Sequence, residues 1–284
     1  MAIFRNQATL SYNGASTTSN VVVGEVTQVV TAAKYAPIDQ YQAGDQLTYV
    51  VSLTNAGNTA FTGLTVTDDL GAYTFGTQTL TPLAYVDGSV ALYQNGVLQA
   101  APTVTAGPPL VFSGITVPAQ GNVVLVYEAR VNEYADPSGA GTIVNTATVA
   151  GGGLSAPVVA TETVSGTDAV LLSITKSISP VPVAENGRLT YTFVIENYGT
   201  RPAVATDDLI VTDTFDPILT DLAVTFNGVA WTAPTQYTYD ETTGIFATQA
   251  GQITVPAATI IRDPVTGAYT TVPGVATLSV TGTV

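Results

Sequence analysis

The chain of 284 residues contains two lysines, Lys34 and Lys176, and each interrupts an aliphatic row. Alternate residues of a strand share a face. Lys34 therefore sits with Val30, Ala32 and Ala36, and Lys176 with Leu172, Ile174 and Ile178. Two aspartates behave alike: Asp68 follows Leu64 and Val66 at steps of two, and Asp213 follows Leu209 and Val211. So do two asparagines, Asn145 among Ile143, Ala147 and Val149, and Asn6 among Phe4, Ala8 and Leu10. Two sets of inward polar groups are expected, Lys34–Asp68–Asn145 and Lys176–Asp213–Asn6.

A lysine in an apolar core loses its charge because desolvation disfavours the ammonium form. The neutral amine is a nucleophile. A nearby carboxyl can polarise the asparagine carbonyl and carry the proton. Attack on the asparagine side chain would release ammonia and leave a Lys–Asn amide bond, with the rigid core supplying proximity. The same residue types also fit an unreacted Lys–Asp ion pair hydrogen-bonded to Asn, an arrangement that is costly unless every group is satisfied. They fit, too, lysines whose stems run along apolar surface to solvent. Asp69 could take the place of Asp68, but the period of two favours Asp68.

Other chemistries find little support. The chain has no Cys and no His, which removes disulfides, the usual zinc sites, thiol nucleophiles and the commonest general base. Asp207-Asp208 and Asp68-Asp69 lack the spacing of a calcium loop and read as solvated turns. Trp231 beside Asn227-Gly228 reads as packing before a sugar platform. Gly151-Gly152-Gly153 has no strand-to-helix context for phosphate. No cofactor and no metal are expected, and no enzymatic activity beyond self-cross-linking. With 7 basic residues against 21 acidic, the net charge of −14 repels phosphate backbones and argues against nucleic-acid partners. No run reaches the ~18 apolar residues of a membrane span, and no signal-peptide pattern opens the chain.

The elements that must position these groups are strands. Hydrophobic residues make up 46% and charged residues only 10%, with Thr, Val, Ala and Gly filling the difference, a palette suited to β-structure. Residues 2–11 alternate, Asn13-Gly14 is a hairpin turn signal, and residues 20–30 are again β-rich. From residue 28, turn signals recur at the spacing of an antiparallel sandwich of the immunoglobulin kind.

The chain also matches itself. Lys34 precedes Tyr49, and Lys176 precedes Tyr191, by the same 15 residues. Leu47-Thr-Tyr49 matches Leu189-Thr-Tyr191, Asn55-Ala-Gly57 matches Asn197-Tyr-Gly199, and Leu64-Thr-Val-Thr-Asp68 matches Leu209-Ile-Val-Thr-Asp213. Ile115-Thr-Val-Pro118 matches Ile253-Thr-Val-Pro256, and Gly121–Val131 matches Gly274–Val284. The first copy continues through Asn145-Thr-Ala-Thr-Val149, for which the second has no counterpart; the echo is Asn6-Gln-Ala-Thr-Leu10.

These matches predict an all-β chain of two tandem immunoglobulin-like antiparallel sandwiches. Residues 1–27 would be an N-terminal donor segment, 28–167 a complete domain, and 168–284 a domain lacking its last strands. An open sheet edge templates pairing with other chains. Donation of the N-terminal segment, with Phe4, Ala8 and Leu10 inward, would complete the second domain of a neighbouring copy. Such a heterologous contact propagates as a fibre. The Lys176–Asn6 bond would then join subunits, and the Lys34–Asn145 bond would be internal. The alternatives are a segment folded back on its own chain and a monomeric adhesin or carbohydrate-binding module.

Taken together, Lys34, Gly44-Asp45, Leu47-Thr-Tyr49, Asn55-Ala-Gly57, Val66-Thr-Asp68 and Asn145-Thr-Ala-Thr-Val149 resemble the repeat called domain of unknown function eleven, found in bacterial and archaeal envelope proteins. Residues 28–165 cover that pattern, and residues 168–284 cover it without its end. The second copy departs at Glu185-Asn186-Gly187, where the first has Gly-Asp. The layout is also similar to pilin and adhesin modules, some of which form internal Lys–Asn amide bonds. The resemblance implies an extracellular surface role. With no signal-peptide pattern, release from a lysing cell such as a spore-forming mother cell would also place it on the cell or spore surface. Strand donation makes copies of itself the expected partners, and no membrane insertion is expected.

Overall fold

The computed structural model describes residues 2–284. The first strands are β1 (Ala2–Asn6), β2 (Thr9–Tyr12), β3 (Ala15–Thr18) and β4 (Val22–Val26). Next come β5 (Val30–Tyr35), β6 (Gln40–Tyr41), β7 (Gln46–Asn55), β8 (Phe61–Asp68), β9 (Tyr73–Phe75), β10 (Gln78–Leu80) and β11 (Leu83–Tyr85). They are followed by β12 (Ala91–Gln94), β13 (Val97–Leu98), β14 (Thr103–Thr105), β15 (Leu110–Val117), β16 (Gly121–Val131), β17 (Thr142–Gly151) and β18 (Val158–Gly166). The remaining strands are β19 (Leu172–Ser179), β20 (Arg188–Asn197), β21 (Thr212–Thr214), β22 (Thr220–Phe226) and β23 (Val229–Trp231), then β24 (Tyr237–Asp240), β25 (Ile245–Thr248), β26 (Thr259–Arg262), β27 (Tyr269–Val272) and β28 (Gly274–Thr283). One 3-10 turn, Ala205–Asp207, interrupts them.

The long strands pair antiparallel, among them β7 with β16, β8 with β17, β17 with β18 and β20 with β28. The chain divides into two compact units, one comprising the residues up to Asp136 with Gly141–Ser165, the other Pro137–Ala140 with Gly166–Val284.

In the first unit one sheet runs β13-β12-β16-β7-β5, with β11 also on β16, and the other runs β14-β15-β8-β17-β18-β6. The alternating sequence sets which side chains meet between them. Leu47, Tyr49, Val51 and Leu53 of β7 and Leu64, Val66 and Asp68 of β8 are buried, as are Ile143, Asn145, Ala147 and Val149 of β17. Their neighbours on the opposite face of the second sheet, such as Thr65, Thr67, Thr146 and Thr148, are only half-covered. Hydroxyl-bearing outer faces of this kind let a chain with so few charges remain wettable.

The second unit repeats the plan in part. Its larger sheet runs β19-β20-β28-β22-β23, matching β5-β7-β16-β12-β13. Its other sheet is only β21-β25-β24, matching β8-β15-β14. Among the described residues no strand pairs with β21 on the side where β8 meets β17. A β26–β27 hairpin fills the sequence between Pro256 and Gly274, where the first unit makes a short turn from Pro118 to Gly121.

The repeated Asn-x-Gly motif is a structural clamp. Asn55 donates from Nδ2 to the carbonyls of Thr59 and Pro118, both at 2.8 Å, and its Oδ1 accepts from Gly57 N at 2.9 Å. Asn197 donates to the carbonyls of Arg201 at 2.9 Å and Pro256 at 3.1 Å, and accepts from Gly199 N at 2.9 Å and Leu171 N at 3.0 Å. Each clamp ties the turn after one long strand to the Ile-Thr-Val-Pro segment. Removing it strands buried backbone groups. Asn55→Ala is expected to destabilise the first unit by about 2–3 kcal/mol, read as a lower midpoint in urea unfolding, and Asn197→Ala is expected to act likewise on the second.

Candidate functional site

Lys34 enters from β5, whose register places it opposite Val51 of β7. Tyr49 of β7 and Tyr127 of β16 are cross-strand partners on the same inward face, stacked at 5.8 Å between ring centroids. Asp68 and Asn145 come from the facing sheet. Ala147 of β17 is opposite Asp68 of β8, so Asn145, two residues before it, is the diagonal neighbour of Asp68 on the inward face.

These groups meet in a closed core. The Lys34 Nζ donates to Asp68 Oδ2 at 2.6 Å, and both side chains have no exposed surface. The Tyr127 hydroxyl donates to the same Oδ2 in a short hydrogen bond, while Leu70 N donates to Oδ1 at 3.0 Å. The ammonium also lies over the Tyr49 ring, 4.9 Å from its centroid. Asp69 is turned elsewhere, accepting from Gly71 N and Thr146 N.

Burial pushes the Lys34 amine below its ordinary value of 10.5, against the opposing pull of Asp68 and, more weakly, of Asp69 and Glu162. Burial likewise pushes the Tyr127 and Tyr49 phenols up, with the Asp68 charge adding to it and the Asn145 amide pulling the other way. Among the described residues four buried side-chain polar atoms have no hydrogen-bond partner; one is the Tyr85 hydroxyl, and the other three, Oδ1 and Nδ2 of Asn145 and the hydroxyl of Tyr49, belong to this site. Each such atom costs about 1–3 kcal/mol. All three lie beside the buried Lys34–Asp68 pair.

The structure thus brings Lys34, Asp68 and Asn145 together. The phenols of Tyr49 and Tyr127 and the half-buried Glu162, opposite Asn145 in register, complete their surroundings. The tyrosines lie in the inward rows at the spacing of core residues, so nothing in the sequence separates them from ordinary packing. Glu162 was hidden because its role follows only from the β17–β18 pairing.

The second unit holds the equivalent pair without its cover. Lys176 Nζ donates to Asp213 Oδ2 in a short hydrogen bond and lies 4.3 Å from the centroid of Tyr191 and 5.5 Å from those of Phe193 and Phe215. Its direction is inward, as the period predicts. Its side chain is nevertheless 39% exposed, against 0% for Lys34. Likewise Leu172 is 40% exposed, where its counterpart Val30 is 1%. An apolar groove remains, lined by Leu172, Ile174, Ile195, Leu209, Val211 and Ile253. The Tyr127 position is occupied by Val280, so Asp213 has no phenol from that strand.

Asn6 lies in the N-terminal hairpin, where β1 pairs with β4 and β2 with β3. The Asn13-Gly14 turn has positive φ at both residues, as a tight hairpin requires. Gly24 faces Phe4, whose ring would be 2.3 Å from a Cβ there, so only glycine lets the ring lie across the partner strand. Phe4 and Asn6 are alternate residues of β1; the strand breaks at Gln7 and Ala8 before β2 begins. Phe4 is 54% and Leu10 68% exposed, so the hairpin leaves large apolar side chains uncovered.

The other sequence candidates are structural. Trp231 stacks on Phe226 at 4.9 Å. Asp207 is paired with Arg201 at 2.9 Å and caps Val204 N. Gly151, Gly152 and Gly153 all have positive φ in the turn after β17. Among the described residues no group of three or more His, Cys, Asp or Glu could hold a metal ion.

No family model matches the chain and no curated protein does; the likeness to domain of unknown function eleven rests on the quoted motifs. Among solved structures, the chain is similar to BcpA, the major pilin subunit of Bacillus cereus, at 13% identity over 96% of this chain and 73% of that one, TM-score 0.36. It is similar to the full-length major pilin SpaD of Corynebacterium diphtheriae at 11% identity over 87% and 51%, TM-score 0.37. It is also similar to ACE19, the collagen-binding subdomain of the Enterococcus faecalis surface protein ACE, at 6% identity over 50% and 100%, TM-score 0.33.

The depressed Lys34 amine has a consequence for stability. Unfolding returns it to 10.5, so between the lowered folded value and 10.5 the unfolded chain binds more protons. Stability due to this group therefore rises with pH across that window. In an Asn145→Ala variant, unfolding free energy is expected to climb as the pH rises toward ~10. Lys34→Met in the same background is expected to flatten that rise, as measured by urea unfolding at a series of pH values.

Proposed function

We propose that this protein is the structural subunit of a surface fibre, and that its N-terminal hairpin completes the open sheet of the second unit of a neighbouring copy. The observation that carries this reading is a match between two uncovered apolar faces. In the first unit β17 and β18 form a hairpin that caps β8 and shields Lys34. The N-terminal segment is likewise a hairpin, in which Asn6 is paired with Val22 as Asn145 is with Glu162. In the proposed docking its exposed Phe4, Ala8 and Leu10 take the places that Ile143, Ala147 and Val149 hold in β17. Beside β21 the second unit has an open edge and an apolar groove.

By this analogy Ala8 pairs opposite Asp213, as Ala147 pairs opposite Asp68, and Asn6 comes to lie beside Lys176. Burial of the hairpin's apolar face against the groove drives the association at roughly 25 cal/mol per Å² of apolar surface. Because donor and acceptor surfaces differ, the contact repeats head to tail and does not close. The uncovered Lys176 would be buried only when a donor arrives.

Covalent closure follows from the same groups. A proton passes from Lys34 Nζ to Asp68, and the neutral amine attacks Cγ of Asn145. The Nζ–Cγ bond forms, Asp68 passes that proton to Nδ2 and takes the second proton from Nζ as the Cγ–Nδ2 bond breaks, and ammonia leaves with Asp68 in its protonated form. No cofactor is consumed. The same steps at Lys176, Asp213 and the donated Asn6 would join subunits, fixing by covalent bond what disulfides fix in other secreted scaffolds.

Boiled protein is expected to run as a ladder on a denaturing gel, and Lys176→Ala or Asn6→Ala to collapse the ladder to monomer. The internal bond would persist in both, as a monomer lighter by one ammonia. Deleting residues 2–26 is expected to abolish filaments in electron microscopy of the undenatured sample. Filaments that survive the deletion would overturn strand donation. A groove already filled by the chain's own segment would appear as a monomer indifferent to it.

A further inference from the structure

We infer that the Tyr49 hydroxyl is the oxyanion donor for amide formation at Lys34 and Asn145, and that Tyr191 serves the same purpose in the second unit. This inference rests on the amide-bond reading above and assigns a group that the three residues of that reading leave unsupplied.

Attack of Nζ on the Asn145 carboxamide puts negative charge on Oδ1. In a core without water that charge needs a donor already in place. The donors around it are committed elsewhere. The Lys34 Nζ hydrogen-bonds to Asp68 Oδ2, the Tyr127 hydroxyl to the same oxygen, and Leu70 N to Oδ1 of Asp68. The Tyr49 hydroxyl alone of these is free, and it is fully buried.

The placement is specific. The Tyr49 ring packs beneath the nucleophile and is stacked with Tyr127. Both phenols feel the Asn145 amide, which leaves Oδ1 and Nδ2 unsatisfied in the resting arrangement. A half-turn of the carboxamide exchanges its oxygen and nitrogen. With Oδ1 toward Tyr49, the phenol donates to the carbonyl, and Nδ2, the leaving nitrogen, is turned away from it. Because burial makes the phenol a weaker acid, it remains an O–H donor and is not itself consumed.

The two tyrosines divide the work. Tyr127 holds the carboxyl that carries the proton; Tyr49 receives the charge on the carbonyl. The second unit separates these roles. At the Tyr127 position it has Val280, whereas at the Tyr49 position it keeps Tyr191, with Lys176 over its ring. The group common to both sites is the one assigned to the oxyanion.

The test is a time course of intact mass during cell-free synthesis, quenched in acidic denaturant, for the wild type, Tyr49→Phe and Tyr127→Phe. Tyr49→Phe is expected to slow the loss of ammonia from Lys34 and Asn145 by roughly 10²–10³-fold, as for removal of an oxyanion donor. Tyr127→Phe is expected to react with a shifted pH profile. Loss of ammonia at the wild-type rate in Tyr49→Phe would overturn the inference alone. A wild type that keeps its full mass would overturn the amide-bond reading and this inference with it. A purely structural role is tested in the Asn145→Ala background, where Tyr49→Phe removes a hydroxyl that has no partner and is expected to leave thermal stability unchanged or higher. A clear loss of stability or folding there would overturn the assignment.

Discussion

An ammonium and a carboxylate stripped of water and pressed together between two sheets are the constraint around which the first unit is arranged. Lys34 and Asp68 come from opposite sheets, so their contact fixes how those sheets face one another. Isolated, either charge would be costly to bury. Together they need further donors, and the core supplies them from Tyr127 and the Leu70 amide. What they do not satisfy is Asn145, whose amide is left without a partner beside the buried lysine.

The cover over this pair is the hairpin of β17 and β18. The two units differ most at this cover, although Val280 also stands in the second where Tyr127 stands in the first. With the hairpin in place, Lys34 is wholly buried; without a counterpart to it, Lys176 makes the equivalent ion pair and lies over Tyr191, Phe193 and Phe215 yet is open to solvent. Desolvation is therefore not a property of the lysine's own strand. It is conferred by a neighbouring element.

The remaining peculiarities of the chain fit that arrangement physically. A surface poor in charge but rich in threonine keeps its outer faces wet through hydroxyl groups. The Asn55 and Asn197 clamps pin equivalent turns in both units, so an open sheet edge does not loosen the rest of the second unit. The hairpin carries its own turn and its own register, so it is already shaped as a strand pair before any partner is met, which reduces the ordering cost of docking.

The sequence alone determined the strand faces. Period two put Lys34, Asp68 and Asn145 inward and separated Asp68 from Asp69, because side chains alternate strictly across a pleated strand. It also determined the repeat, since Lys34 and Lys176 stand at equal distances from Tyr49 and Tyr191. It could not show which inward groups touch, because that depends on which strands become neighbours and at what register. Only the tertiary structure decided that Tyr127 reaches Asp68, that Glu162 stands opposite Asn145, that the Tyr49 hydroxyl is left unpaired, and that Lys176, inward by its period, is still open to water. Facing direction is local and can be read from a few residues, whereas burial is a sum over distant elements and exists only once they are packed.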